Sequence, residues 1–189
     1  MLERIKKMYS KHIAIGFLLA TTIASPAFAQ EFSLTSTTVS EGEKLPNSHI
    51  FEGFGCEGEN QSPQLSWSGA PEGTKSFAIT VYDPDAPTGS GWWHWHVVNI
   101  PASVNSVSQN ASINGDLPRE ALQVRNDFGI FGFGGACPPP GKVHRYIFTI
   151  YALSTEQLEL PENPSNALVG FMTRAKMLDS ASITAVYHR

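Results

Sequence analysis

The sequence predicts a mostly antiparallel β domain with a single late helix, and three observations carry that expectation. Stretches dense in aromatic and β-branched residues recur at 75–82, 92–100 and 143–153. Turns rich in proline and glycine separate them, at 70–74, 83–91 and 129–141. Only 163–178 places apolar residues at helical spacing. The sequence holds no internal repeat, low-complexity tract or interdomain linker, so one domain is expected.

The first 29 residues stand apart from this pattern. Arg4, Lys6, Lys7 and Lys11 make a basic start, 13–24 is an apolar run, and Ala27-Phe28-Ala29 fits the small-residue rule for signal-peptide cleavage. The run is too short for a membrane span. We therefore expect a signal peptide at 1–29, a mature domain at 30–189, and a periplasmic or secreted location. Four of the 13 basic and one of the 17 acidic residues fall in 1–29, leaving 9 against 16, a net charge of −7 with His neutral. Such a surface argues against nucleic acid and against anionic membrane surfaces as partners.

Two cysteines occur, Cys56 and Cys137. An even number behind a secretory leader favours a disulfide between them, with two buried free thiols as the alternative. Zinc is disfavoured, because neither cysteine belongs to a Cys-x-x-Cys pair.

In chain order, 32–39 alternates weakly and reads as a first strand. A loop rich in Gly, Asn and Glu follows at 52–63, then a short strand at 64–68 centred on Trp67. Residues 75–82 point Phe77, Ile79 and Val81 one way, Ser76, Ala78 and Thr80 the other. Residues 102–119 read as a polar surface excursion and 121–126 as a short strand. The strand at 143–153 carries His144, Tyr146, Phe148 and Ile150 on one face. Asn163-Pro164 reads as an N-cap followed by proline at the first helical position. Ala167, Leu168, Phe171, Met172, Ala175 and Leu178 then form the stripe expected to pack on the sheet. A closing strand is expected at 182–187.

The chain is organised around 83–101. Its two prolines keep Asp83-Pro84-Asp85-Ala86-Pro87 from being a central strand, so this segment reads as a rigid turn presenting two carboxylates. Strict alternation along 92–100 would put Trp92, His94, His96, Val98 and Ile100 on one face and Trp93, Trp95 and Val97 on the other. Two carboxylates would then lie a short loop from two imidazoles, and buried polar groups of this kind call for a use. A metal held by His94, His96 and an aspartate is one use, but no fourth ligand is evident. The glycine run 129–135 lacks a Gly-Lys-Ser/Thr and meets three prolines where a phosphate-binding helix would start, which excludes a nucleotide loop. It could still offer backbone N–H groups to an anion. The Gly-x-Ser-x-Gly elbow of many serine hydrolases is missing.

These residues resemble a family. Asp83-Pro-Asp-Ala-Pro, Trp93-His94, Val97-Val98-Asn99-Ile100-Pro101, and later Pro138-Pro139 with His144-Arg145-Tyr146 are similar to the phosphatidylethanolamine-binding (Raf kinase inhibitor-like) proteins. Gly53-Phe54-Gly55-Cys56, Asn60-Gln61-Ser62-Pro63 and Trp67-Ser68-Gly69 look like its bacterial YbhB/YbcL branch. The resemblance implies two antiparallel sheets in a Greek-key arrangement, with one or two peripheral helices. It also implies a small pocket for phosphate-like anions, lined by Asp83, Asp85, Pro87, His94, Pro138, Pro139, His144 and Tyr146. His96 has no counterpart in that pattern. The kinase inhibition of cytosolic eukaryotic relatives is not carried over to an exported protein.

Both imidazoles and the Tyr146 hydroxyl are expected to donate to the anion, with the carboxylates favouring imidazolium and affinity weakening as pH rises. The expected function is that of an exported, non-catalytic binding or regulatory protein. It would need no cofactor, recognise a phosphate or phosphoryl head group and an unknown protein partner, and possess the option of a homodimer. The rivals are a hydrolase or lyase with a histidine general base, and a protease-inhibitor module.

Overall fold

The computed structural model describes residues 30–189, so the expected leader lies outside the described residues. Among the described residues ten strands and two α-helices follow in order: β1 (Ser33–Thr35), β2 (Glu52–Gly53), β3 (Cys56–Glu57), β4 (Leu65–Ser68), β5 (Ser76–Asp83), β6 (Trp92–Pro101), β7 (Ser106–Val107), α1 (Ala111–Asn114), β8 (Leu122–Gln123), β9 (His144–Leu153), α2 (Asn166–Lys176) and β10 (Met177–Tyr187). A five-stranded antiparallel sheet runs β10-β9-β5-β6-β8, a three-stranded one β1-β4-β7, and β2 pairs with β3. The mostly β architecture, two main sheets with helices at the periphery, is the one expected.

Packing follows the alternation of β5 and β9. Phe77, Ile79 and Val81 join Phe148 and Ile150 in the main core, where Trp67 of the small sheet meets Phe77 edge-on at 5.4 Å. On the opposite face, Ala78, Val98 and Leu153 pack with Val169 of α2. The large sheet is therefore covered on both sides.

Several expectations are corrected. The first strand is shorter, because the Ser36 hydroxyl accepts from the N–H groups of Thr38 and Val39 and turns the chain. Residues 102–119 are not purely a surface excursion, since Val107 and Ala111 are buried. Helix α2 is capped by Ser165, whose hydroxyl accepts from Leu168 N–H at 3.2 Å, not by Asn163. Asn163 instead takes a left-handed turn with φ 51°.

The helical stripe is also misassigned. Phe171 is 70% exposed, and the buried face is Asn166, Val169, Gly170 and Thr173. β10 then starts directly after α2, five residues earlier than expected.

Strand β6 departs most from its expected pattern. Its pairing with β5 shifts register twice, between Val81 and Tyr82 and between Phe77 and Ile79. Such bulges rotate the side chains that follow. Trp95, Val97 and Ile100 enter the main core, whereas Val98 enters the helix side.

Candidate functional site

The end of β5 and the starts of β6 and β9 lie side by side at one end of the large sheet. Asp83, Trp92, His94, His144 and Tyr146 come from these three strand ends. Together with Pro87, Pro138 and Pro139 they line one cavity of about 220 Å³. The prolines stiffen its rim by fixing φ.

Asp83 is 3% exposed, and its two oxygens are spent differently. One accepts the Asp85 N–H at 2.8 Å, closing the aspartate-proline turn. The other accepts from Nδ1 of the buried His144 at 2.7 Å. His144 is thereby oriented with Nε2 away from the carboxylate, and that nitrogen is a donor only in the imidazolium form.

His94 is held by a different device. Its Nδ1 lies 2.7 Å from the Gly134 carbonyl and 3.1 Å from that of Gly135. Carbonyls only accept, so Nδ1 carries the proton and Nε2 presents a lone pair. Burial holds the His94 pKa below the usual imidazole range, against the raising effect of those carbonyls and of Asp83. Neutral His94 thus offers an acceptor, which corrects the expectation that both imidazoles donate.

The glycine run serves this purpose with its carbonyls. Its N–H groups are used inside the protein: Phe133 donates to the Ser112 hydroxyl, Gly134 to the His94 carbonyl, Gly135 to Asn60 Oδ1 and Ala136 to the His49 carbonyl. These four N–H groups are therefore not available to form an anion nest. A Cβ on Gly135 would stand 2.5 Å from backbone atoms of Ile50 and Phe51, so only glycine allows this approach.

Three polar atoms on residues that line the cavity are buried without partners: His94 Nε2, Tyr146 Oη and Trp92 Nε1. Burial, then the Asp83 charge, pushes the Tyr146 pKa far up, so the phenol stays a neutral donor. Buried polar groups are ordinarily satisfied, and unsatisfied ones gathered at a cavity make it the candidate ligand site.

Asp85 belongs elsewhere. It takes a bidentate pair from Arg145, 2.8 and 2.9 Å, which lowers its pKa to about 2. It lines a neighbouring cleft with Pro140 and Lys142 rather than the main cavity. His96 faces the helix side, stacked on Trp93 at 5.3 Å, so it cannot share a metal with His94. Among the described residues no cluster suited to a metal ion is found.

Sequence reasoning missed the aromatic wall. Phe54, Trp92 and Phe128 line the cavity, with Phe128 stacked on Phe51 at 4.2 Å. Gly-Phe-Gly ahead of a cysteine was the available signal for Phe54, because flanking glycines let a loop hold an aromatic outward. Cys137 lines the cavity too, and its disulfide to Cys56 (Cα–Cα 6.0 Å) ties the Phe54 loop to the glycine run. Behind the wall, Asp127 accepts from Trp93 N–H at 2.7 Å and from the Asn166 amide of α2 at 3.0 Å.

Comparison with known proteins agrees with the fold. The family described as Phosphatidylethanolamine-binding protein matches residues 35–188. The UPF0098 protein YbcL of Escherichia coli K12 is 55% identical over 180 residues, 94% of this chain and 98% of the relative. YbhB of the same strain is 51% identical over 82% of this chain and 98% of its own length. The crystal structure of E. coli YbcL, described as a member of the mammalian PEBP family, superposes with a TM-score of 0.82 at 58% identity, covering 85% of this chain and 99% of that one. A Chlamydia trachomatis homologue gives 0.70 at 30% identity, over 84% and 97%.

Proposed function

Since the chain belongs to the phosphatidylethanolamine-binding protein family, we propose that it is an exported, non-catalytic binding protein whose cavity accepts a small phosphate-like anion. The observation that carries this reading is the set of unpartnered polar atoms, two donors from Trp92 and Tyr146 and one acceptor from His94. A phosphoryl monoanion accepts and donates at once, so it complements that set. A dianion has no proton for His94 Nε2 and is repelled by Asp83. Affinity is therefore modest and specific to the protonation state, which suits recognition more than scavenging.

Export is supported by the leader pattern at 1–29 and by the disulfide. Mass spectrometry of the mature protein should find Gln30 at its N-terminus; an intact 1–29 segment would overturn the export reading.

A second reading draws on the Asp83–His144 pair, whose geometry suits a general base. Binding is favoured over catalysis by a serine-like hydroxyl or a thiol, because Thr88 donates its hydroxyl proton to the Gly91 carbonyl and Cys137 is in the disulfide. Titration of methylphosphonate at pH 6, followed by NMR, tests the proposal on wild type and Tyr146→Phe. Saturable shifts at the cavity residues, weakened roughly fivefold or more without the hydroxyl, are expected. Turnover of simple phosphate or carboxylate esters, lost in His144→Gln, would favour the enzyme instead.

A further inference from the structure

We propose that the ligand is an anion bearing one aromatic ring, and that Phe54 and Phe128 form the subsite for that ring. This rests on the anion reading above and extends it to the chemical class of the ligand.

Phe128 sits at the junction of the polar floor and the mouth. It stands edge-on to His94 at 5.4 Å and to Trp92 at 5.3 Å, and its plane lies 25° from that of Phe54, centroids 5.8 Å apart. An apolar wall therefore runs from the unpartnered His94 Nε2 out to solvent. Offset-stacked and edge-to-face arrangements with a ligand ring are both available along it.

Phe54 itself is held against its own preferences. It is 70% exposed, and its φ of 52° lies in the left-handed region, which a bulky residue disfavours. The surroundings enforce this. Gly53 and Gly55 flank it with φ of 137° and 80°. The Cys56–Cys137 bridge anchors the loop two residues on. The Arg189 guanidinium donates to the carbonyls of Phe54, Gly55 and Pro138 at 3.2, 3.1 and 2.7 Å. In the empty fold the ring leans only on Phe51 and Phe128, centroids 5.6 and 5.8 Å away, and stays largely exposed on a strained backbone. A ring facing a ligand ring accounts for both features.

Size points the same way. The cavity holds about 220 Å³, and about 150 Å³ is enough for benzene. One ring and one oxyanion fill it; a diacyl lipid tail does not enter.

The test uses the mature, oxidised protein at pH 6 with three probes: methylphosphonate, phenylphosphonate and glycerophosphoethanolamine. Phenylphosphonate should bind about tenfold tighter than methylphosphonate. In Phe54→Gly, which suits the left-handed backbone, that ratio should fall towards one, with folding checked by the melting temperature. Phe128→Leu should reduce the ratio as well. Equal affinities in wild type, or an unchanged ratio in Phe54→Gly, would overturn the ring subsite. Glycerophosphoethanolamine binding tighter than phenylphosphonate would overturn it in favour of a lipid head group. Failure of methylphosphonate and phenylphosphonate alike would overturn the anion reading instead.

Discussion

His94 and His96 stand two positions apart on one strand and face opposite sides of the large sheet. The register shift beside Val81 and Tyr82 separates them. His94 is turned to the cavity with a backbone-fixed tautomer, whereas His96 is sealed between Trp93 and helix α2. Each ring has its own consequence when pH changes.

Burial lowers the pKa of His96 to about 4, with Asn166 acting in the opposite sense and Arg174 reinforcing the fall. His49 and His94 are lowered by burial as well. Each ring takes up a proton more readily in the unfolded chain, so the protein should lose stability as pH falls from 6.5 towards 4. His96 contributes up to about 3 kcal/mol of that loss. Neither of its ring nitrogens completes a hydrogen bond, so His96→Phe leaves no partner stranded. Urea denaturation at pH 7 and pH 4.5 should show a smaller acid-induced loss in His96→Phe; an identical loss would refute the assignment.

Cavity chemistry should follow the proton on the ligand. As pH rises from 6 to 8, methylphosphonate loses the hydroxyl that donates to His94 Nε2, and its affinity should fall. Sulfate has no such proton in this range. It should bind more weakly than methylphosphonate at pH 6 and strengthen only below the ordinary imidazole range, when His94 is protonated. Calorimetric titration of both anions across this interval checks the order, and tighter sulfate binding at pH 6 would contradict it.

Asp83 and His144 are nearly inaccessible, their side chains 4% and 3% exposed. Removing one partner strands the other, so His144→Ala should cost about 3–5 kcal/mol of folding stability. Replacing both, as Asp83→Asn with His144→Ala, should cost less than the sum of the single changes. A double-mutant cycle by chemical denaturation measures that coupling. Additive losses would mean the pair is not held as described.

The disulfide closes a loop of sequence separation 81. On chain-entropy grounds its reduction should remove up to about 4.5 kcal/mol and lower the melting temperature. Denatured, unreduced protein from an oxidising compartment should contain no titratable thiol. Two free thiols there would show that the bridge does not form.

The sequence made the long strands and part of the cavity legible, for a local reason. β5 and β9 alternate strictly, so Phe77, Ile79 and Val81, and His144, Tyr146 and Phe148, read directly onto one face. The bulges of β6 depend on what the neighbouring strand does, and alternation within one segment carries no trace of them. Helix α2 misleads for a related reason. Its inward face meets Trp93 and His96, which leave room for Gly170 and Thr173, while Phe171 is turned outward. The motif residues Asp83, Pro87, His94 and Tyr146 converge on the cavity, but Asp85 is diverted by Arg145, a partner that only the fold brings near. Phe128 went unread because its neighbours in space, Phe51, Phe54, Trp92 and His94, come from distant parts of the chain.

Asp127 and Phe128 are adjacent in sequence yet serve opposite sides of the sheet. The carboxylate of Asp127 grips Trp93 and the first turn of α2, and the next ring is a wall of the cavity. One peptide unit thus joins the anchor of the helix to the wall of the cavity. Removing the Asp127 carboxylate would free Asn166 of α2 and the Trp93 N–H right beside the ring that lines the cavity.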